Sequence, residues 1–356
     1  MTELTTHERY TRIFNHQEAD RVPFNDSPWG STVARWREEG LPEDVSPQEY
    51  FGMDLVAGVG GDTGPQFSQE VVEETDEYVI TLNSWKAKVK NFKDHGSVPE
   101  NIEFYLKGPE QWEEFKPRLE PSRDRVDWES LEQNFPEWRD KGYWITGNFY
   151  TGFDFFHSRA VGTERLLVAM VQEPEWVHDM FTTGIELALS NLEMIWDAGY
   201  EFDAISWPDD MGYKYRPFFS LDMYREFIKP YHVRAINWAH ERGIKAHLHS
   251  CGDINTFIPD LVEIGLDALN PLEVKAGMDP IQLKKVYGDQ LVFKGGINAL
   301  HYHDMDKLMN DIDTVVPVMK ENGGYIFSSD HSIPDDVSLA DFQRVVDRLK
   351  EVGSYV

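Results

Sequence analysis

From Lys141 onward the chain repeats one pattern, in which a short apolar run precedes a turn and an amphipathic, helix-like stretch. The apolar runs cover residues 143–147, 204–207, 244–249, 267–270, 291–295 and 324–328. Strands that alternate with helices predict βαβ units and a parallel sheet. Two earlier segments, 22–25 and 54–57, bring the predicted strands to eight. Eight strands favour a closed (β/α)8 TIM barrel over the alternative, an open doubly wound sheet.

Residues 70–92 follow a different pattern. Segments 71–74, 78–82 and 87–90 alternate apolar and polar side chains between polar turns, which predicts antiparallel strands. The acidic, proline-containing segment 94–140 predicts surface helix and loop. The sequence therefore predicts one α/β TIM-barrel domain over residues 1–356. It has an N-terminal extension and an insertion at about 65–140 that carries a small antiparallel β meander and surface helices.

The charge and the cysteine content restrict the partners and the compartment. The chain has 63 acidic and 34 basic residues, a net charge of -29, which argues against nucleic acid and anionic membranes as partners. No apolar run approaches the length of a membrane span, and the polar N-terminus does not resemble a signal peptide. The lone Cys251 excludes an internal disulfide and fits a reducing cytoplasm. We therefore expect a cytoplasmic protein that acts on small molecules.

In a parallel barrel, functional side chains cluster where the strands end and in the loops that follow. The candidates at such positions are Asn148, Tyr150, Trp207, Asp209, Asp210, Tyr213, Tyr215, His249, Cys251, Glu273, Lys294 and His331. The three acidic members could act as general acids or bases, although an aspartate pair can also simply mark a helix N-terminus. The aromatic members could form the wall of a pocket for a flat ring, with ordinary packing as the alternative.

The triplet His-Ser-Cys at 249–251 closes one of the predicted strands. An imidazole and a thiolate at this spacing can share a pocket, and they suit Zn²⁺ as a ligand pair. The alternative is a buried thiol beside a hydrogen-bonded histidine. A catalytic zinc needs a third protein ligand. His331 is the favoured candidate because its strand end lies on the same predicted rim, and Glu273 and Asp330 are its rivals.

Several motifs together resemble the uroporphyrinogen decarboxylase superfamily. They are HSCGD at 249–253, NPLE at 270–273, FKGGI at 293–297, GGYIF at 323–327, PDDMG at 208–212, YREFIKP at 224–230, and the opening RYTRIFN at 9–15 with DRVP at 20–23. The resemblance spans nearly the whole chain and is weakest over 94–140. It implies a (β/α)8 barrel in a superfamily of porphyrinogen decarboxylases and zinc methyltransferases, which exchange methyl groups with corrinoid proteins or coenzyme M.

Two local features place the resemblance on the methyltransferase branch. The decarboxylases carry Arg-Gln-Ala-Gly-Arg-Tyr near the N-terminus, whereas residues 25–30 here read Asn-Asp-Ser-Pro-Trp-Gly, without either arginine. The methyltransferases carry His-x-Cys, matched by His249 and Cys251, and a second cysteine after a late strand, where this chain has His331. Imidazole is an acceptable zinc ligand, and a less anionic site leaves the ion a stronger Lewis acid.

The resemblance thus implies a zinc-dependent methyltransferase, and the stronger Lewis acid favours transfer of a methyl group from a methoxylated donor to the cobalt of a corrinoid carried by a separate protein. The aromatic residues near the strand ends favour an aromatic donor. Zinc on His249, Cys251 and His331 would polarise the ether oxygen. The acidic candidates would position the substrate or handle a proton, and Asn148, Lys294 and the aromatic candidates would bind it. Methyl transfer to a thiol, decarboxylation, and a non-catalytic barrel that binds a tetrapyrrole or a partner are the alternatives. Barrels of this superfamily often dimerise, so a homodimer is one expected assembly.

Overall fold

Short strands and longer helices alternate along the chain in the computed structural model, which describes residues 3–93 and 99–355. The strands are β1 (Val56–Gly60), β2 (Glu70–Glu74), β3 (Tyr78–Leu82), β4 (Lys88–Phe92), β5 (Glu100–Glu103), β6 (Trp144–Asn148), β7 (Ala204–Pro208), β8 (Gly212–Tyr213), β9 (Arg216–Pro217), β10 (Lys245–His249), β11 (Ala268–Asn270), β12 (Val292–Lys294) and β13 (Tyr325–Ile326). The α-helices are α1 (Thr6–Phe14), α2 (Gly30–Glu38), α3 (Pro47–Phe51), α4 (Pro109–Phe115), α5 (Trp128–Asp140), α6 (Phe153–Phe155), α7 (Thr163–Gln172), α8 (Pro174–Asp197), α9 (Leu221–Met223), α10 (Lys229–Glu241), α11 (Ile258–Glu263), α12 (Pro280–Tyr287), α13 (Met305–Met319) and α14 (Leu339–Val352). Short 3₁₀ turns lie at Lys116–Arg118, Arg123–Arg125, Val274–Ala276 and Ala299–His303, and π-helical turns at Phe156–Ala160 and Tyr224–Ile228.

Seven parallel strands form the central sheet in the order β1-β6-β7-β10-β11-β12-β13. The chain at 22–25 fills the gap between the two ends of this sheet. Phe327 N–H donates to the Pro23 carbonyl at 2.8 Å, and Asp54 N–H donates to the Phe24 carbonyl at 2.7 Å. An eighth extended segment therefore closes the sheet, and the predicted (β/α)8 barrel is confirmed.

Side chains alternate between the two faces of the barrel wall. Leu248, Leu269 and Phe293 are completely buried beneath the surrounding helices. Their neighbours along the strands, among them His249 and Lys294, line a cavity inside the barrel mouth. Because successive side chains of a strand point to opposite faces, the alternation of apolar and polar residues along the strands places one layer of polar side chains at the mouth.

The N-terminal extension covers the opposite end of the barrel. Tyr10, Ile13 and Phe14 of α1 form one hydrophobic cluster with Trp144, Ala204, Ala268, Val292 and Ile326, which lie on five of the central strands. The helix is held by a capping box between Thr5 and Glu8. With this end packed, the C-terminal ends of the strands present the open face of the barrel.

The insertion contains the predicted antiparallel sheet, with strand order β2-β3-β4-β5. Its fourth strand, β5, lies in the segment 94–140, where helix and loop were expected. This strand forms by pairing with β4, in which Val89 lies opposite Asn101. Helices α4 and α5 follow as predicted, and residues 94–98 of the segment lie outside the described residues. Among the helices described, none is long and apolar enough to cross a lipid bilayer.

Candidate metal centre at the barrel mouth

The strand register brings three segments of the chain together at the mouth. His249, the last residue of β10, lies opposite Pro208 of β7 on one side and Asn270 of β11 on the other. Asp209 N–H donates to the His249 carbonyl at 2.8 Å, and Ser250 N–H donates to the Asn270 carbonyl at 2.8 Å. The residues that follow β7 and β10 are therefore held side by side.

Asp210, His249 and Cys251 form a group that could hold a metal ion, with one ligand atom from each lying within 4.8 Å of the others. Cys251 Sγ lies 3.3 Å from His249 Nε2. The same nitrogen lies 3.6 Å from Asp210 Oδ1. Bonds of about 2.0 Å from zinc to nitrogen or oxygen and about 2.3 Å to sulfur place tetrahedral ligand atoms about 3.5 Å apart. The two spacings from His249 Nε2 match this value, and the ligand atoms of Asp210 and Cys251 lie within 4.8 Å of each other, so the group can hold a zinc ion by donor type and distance.

Burial keeps the group close to neutral in the ion-free protein. It raises the pKa of Asp210 to about 7, assisted by the nearby Asp154 carboxylate. It lowers the pKa of His249 to about 4 and raises the pKa of the Cys251 thiol well above its ordinary value, where the carboxylates of Asp210 and Glu273 add to the effect. A divalent cation would displace the thiol and carboxyl protons and neutralise the charges that remain.

The two acidic rivals for the third ligand position brace loops instead. Glu273 Oε2 accepts a hydrogen bond from Gly252 N–H at 2.6 Å, and Oε1 lies 3.3 Å from Lys275 Nζ. Both carboxylate oxygens of Asp330 accept backbone N–H groups, at 2.9 and 2.8 Å. Asp210 Oδ1 likewise accepts the Cys251 N–H at 2.7 Å, so such a bond does not by itself exclude a carboxylate as a ligand. Among the described residues, Glu273 and Asp330 differ from Asp210 in lying outside the group of mutually close ligand atoms, and Glu273 fixes the loop that carries Cys251.

His331, the favoured third ligand from the sequence, lies on the same cavity as His249 and Cys251. It is exposed, and its ring centroid lies 5.9 Å from that of Trp29. Within the described residues, the group of mutually close ligand atoms contains Asp210 and does not contain His331. The structure therefore brings together three of the predicted site residues and leaves His331 on the wall of the cavity.

A cavity of about 280 Å³ opens beside the group, and His249, Cys251, Asn270, Lys294, Trp29 and His331 are among the residues that line it. This volume is close to the lower end of the range for small-molecule sites. Of the six predicted substrate-binding residues, Lys294 alone lies in this lining. Asn270 and Trp29, which the sequence prediction did not include as substrate-binding residues, lie in it as well.

The other five predicted substrate-binding residues have different surroundings. Trp207 is only 2% exposed and stacks on Phe149 at 5.5 Å. Tyr150 is half-buried, with its hydroxyl 3.2 Å from Ser158 Oγ, and Asn148 is exposed at the end of β6. The remaining two, Tyr213 and Tyr215, are exposed on the hairpin formed by β8 and β9. Backbone hydrogen bonds join this hairpin to the loop after β10.

The adjacent aspartates have different environments. Asp210 belongs to the metal-ligand group, whereas Asp209 is buried in the protein interior. Asp209 Oδ1 accepts the Asp154 N–H at 2.8 Å, and Oδ2 lies 2.9 Å from His232 Nε2. Asp209 therefore ties the start of α6 to α10. Asp154 itself was missed in the sequence, although it lies in the short helix α6 that follows β6, at the end of the barrel where functional residues occur.

Comparison with known proteins agrees with this architecture. The family described as "Uroporphyrinogen decarboxylase (URO-D)" matches residues 156–352. The chain belongs to the uroporphyrinogen decarboxylase family. Among solved structures, a methyltransferase from Methanosarcina mazei is similar in fold, with a TM-score of 0.67 and 17% identity over 98% of this chain and 99% of that chain. No curated protein matches the sequence.

Asp210, His249 and Cys251 all lie within the span that matches the uroporphyrinogen decarboxylase family. Segment 25–30, where the sequence lacks the two arginines expected of a decarboxylase, contributes Asn25, Asp26 and Trp29 to the cavity wall. The cavity consequently has one lysine and no arginine among its lining residues. A substrate with many carboxylates would find too few cations there.

Asn270 holds the His249 ring in place. His249 Nδ1 lies 2.8 Å from the side-chain amide of Asn270. The atom that faces the ring is the amide nitrogen Nδ2, which donates to Nδ1 in the ion-free protein. Zinc binding through Nε2 would need the amide group turned over, so that its oxygen accepts the Nδ1 proton and the Nε2 lone pair points towards Cys251 and Asp210. We therefore expect Asn270→Ala to weaken zinc binding by about 10- to 100-fold. Competition with a chromogenic zinc chelator measures this change, with the exposed Asn310→Ala as control. An unchanged affinity in Asn270→Ala would contradict the role.

Proposed function

We propose that this member of the uroporphyrinogen decarboxylase family is a zinc-dependent methyltransferase. It takes a methyl group from a methoxylated aromatic donor and delivers it to the cobalt of a corrinoid carried by a separate protein. The observation that supports this proposal most is the metal-ligand group of Asp210, His249 and Cys251 at the edge of a cavity with a single lysine. The fold of the Methanosarcina mazei methyltransferase is consistent with it.

The proposed ligands are His249, Cys251 and Asp210, with Asp210 in the position predicted for His331 from the sequence. Zinc bound there would act as a Lewis acid on the ether oxygen and ease departure of the phenolate. Glu273 keeps the loop of Cys251 in place through Gly252 N–H. His331 and Trp29 flank the cavity and would hold the ring of the donor against its wall.

The site also restricts how the acceptor can approach. The cavity lies at the C-terminal end of the barrel strands, and α1 packs over the other end. Direct methyl transfer requires the acceptor to approach the methyl carbon opposite the departing oxygen. We therefore place the docking site of the corrinoid protein over the barrel mouth.

The proposal is tested by incubating the zinc-loaded protein with reduced cobalamin and a panel of methoxyarenes. We expect the absorption of the corrinoid to change as it is methylated, at a rate that is proportional to protein concentration. Parallel reactions with methylated cobalamin plus a thiol, and with uroporphyrinogen, cover the two competing activities. If only thiol methylation or only release of carbon dioxide is observed, the proposed reaction is wrong.

A further inference from the structure

Lys294 is a half-buried cation at the barrel mouth, and no described carboxylate forms an ion pair with it. It is the last residue of β12 and lines the cavity beside the metal-ligand group. Its Nζ donates to Asn25 Oδ1 at 2.9 Å. Within residues 3–93 and 99–355, no carboxylate lies within ion-pair distance of Nζ. An ammonium has three donors, so the neutral Asn25 leaves most of its hydrogen-bonding capacity unused.

The carboxylates nearest to the cavity are already engaged. Asp26 accepts hydrogen bonds from Ser27 N–H at 2.9 Å, from Ser329 N–H at 2.9 Å and from the Ser329 hydroxyl at 2.8 Å. Both oxygens of Asp330 accept backbone N–H groups. Burial lowers the pKa of Lys294, an effect that Asp26 only partly opposes. An anionic ligand that entered the cavity would give this ammonium the partner that the protein does not supply.

The spacing between Lys294 and the metal-ligand group suits one aromatic ring. His249 lies opposite Asn270, and Leu269 lies opposite Phe293, which puts Lys294 beside Asn270 in the same layer. Neighbouring strands are separated by about 5 Å, so the backbones at His249 and Lys294 are about 10 Å apart across β11. Both side chains extend into the intervening cavity. A separation of about 10 Å leaves room for one benzene ring with substituents at opposite ends.

We propose that Lys294 binds a carboxylate of the methyl donor, so that the substrate is a methoxylated aromatic acid with one carboxylate rather than a neutral methoxyarene. This inference rests on the proposed methyltransferase function. The ether oxygen would face His249 and Cys251, and the carboxylate at the other end of the ring would accept hydrogen bonds from Nζ. A single carboxylate is specified because, among the described residues that line the cavity, Lys294 is the only lysine or arginine.

Ligand binding tests the inference without any turnover. Calorimetric titration of zinc-loaded protein compares 4-methoxybenzoate with methoxybenzene, the same ring without the carboxylate. We expect the acid to bind at least about 10-fold more tightly. In Lys294→Gln, which keeps a donor towards Asn25 but loses the charge, we expect acid binding to weaken by about 10- to 100-fold, as for loss of a charge-assisted hydrogen bond. Binding of methoxybenzene should stay unchanged.

Two matched variants complete the design. Lys294→Arg retains the charge and is expected to recover part of the affinity for the acid. Lys285→Gln removes a lysine that is exposed on α12 and should bind both ligands as the unmodified protein does. Zinc content is measured in every variant, so that an indirect loss of the metal is recognised. Equal weakening for the acid and the neutral ligand in Lys294→Gln, or no weakening at all, would overturn the inference.

Methyl transfer then separates this inference from the proposed function. If Lys294-dependent binding of the acid occurs but no donor methylates the corrinoid, the anion site stands and the proposed function fails. A different outcome is that acid and neutral donors both methylate the corrinoid, with the same KM in the unmodified protein and in Lys294→Gln. In that case the proposed function stands and the role of Lys294 is refuted. A higher KM for the acid alone in Lys294→Gln supports both.

Discussion

Replacement of Cys251 by serine is expected to lower the zinc affinity of the protein by more than about 100-fold, beyond the loss typical for residues that only support a ligand. A serine hydroxyl does not ionise at neutral pH and cannot replace the thiolate as a ligand to zinc. Since Cys251 is the only cysteine in the chain, no second sulfur can take its place. Methyl transfer should be lost together with the metal.

Elemental analysis of purified, dialysed protein measures this effect as zinc per chain. We expect one zinc ion per chain in the unmodified protein and nearly none in Cys251→Ser. The same measurement distinguishes the two candidates for the third zinc ligand. Asp210→Asn should lose zinc, whereas His331→Ala should retain it. His303→Ala, which removes an exposed histidine that contacts Asp336, serves as control. Retention of zinc by Asp210→Asn with loss from His331→Ala would restore the ligand set expected from the sequence.

The barrel could be predicted because its signal is local. Each βα unit combines an apolar run with an amphipathic helix, and the pattern recurs along the chain. Strand β5 was missed because Glu100–Glu103 has the composition of an acidic loop. Its extended conformation depends on β4, to which Lys88 and Glu103 are joined by an ion pair of 2.9 Å. Pairing with a neighbouring strand is not visible in a segment taken alone.

The candidate metal-ligand pair could be predicted from the sequence for a similar reason. His249 and Cys251 are two residues apart at the end of one strand, so their proximity follows from local geometry. The third member depends on the register between β7 and β10, which places Pro208 opposite His249. The sequence cannot show that Asp210 turns towards Cys251 while Asp209 turns into the interior. Adjacent residues at a strand end differ in direction, and only the neighbouring elements decide which one faces the site.

The predicted aromatic wall shows the same limit. Trp207 and Tyr213 both lie near the end of β7 in sequence, yet one is 2% and the other 59% exposed. Trp207 stacks on Phe149 within the wall of the barrel. Tyr213 belongs to the hairpin of β8 and β9, which begins at Gly212, beyond the end of β7 at Pro208. Aromatic residues at strand ends therefore supply both packing and surface, and their exposure depends on the path of the loop.

Removal of the Asp209 side chain is expected to cause a large loss of folding stability. Asp209 and His232 are 2% and 3% exposed and are linked at 2.9 Å. The Asp209→Ala variant would leave His232 Nε2–H and Asp154 N–H without their acceptor, and buried donors without partners cost about 1–3 kcal/mol each. We expect the free energy of unfolding to fall by about 3–5 kcal/mol, a range that also applies to the loss of one partner of a buried pair.

Chemical denaturation monitored by tryptophan fluorescence measures this loss as a lower midpoint for Asp209→Ala. Asp209→Asn preserves the shape and one oxygen acceptor, so its loss should be clearly smaller. Asp222→Ala, at an exposed position on α9, should stay within about 0.5 kcal/mol of the unmodified protein. Folded Asp209→Asn should also retain zinc, because Asp209 acts by holding the loop of Asp154 against α10. A stable Asp209→Ala that has lost its zinc would instead show that Asp209 is a ligand and that the interior network contributes little.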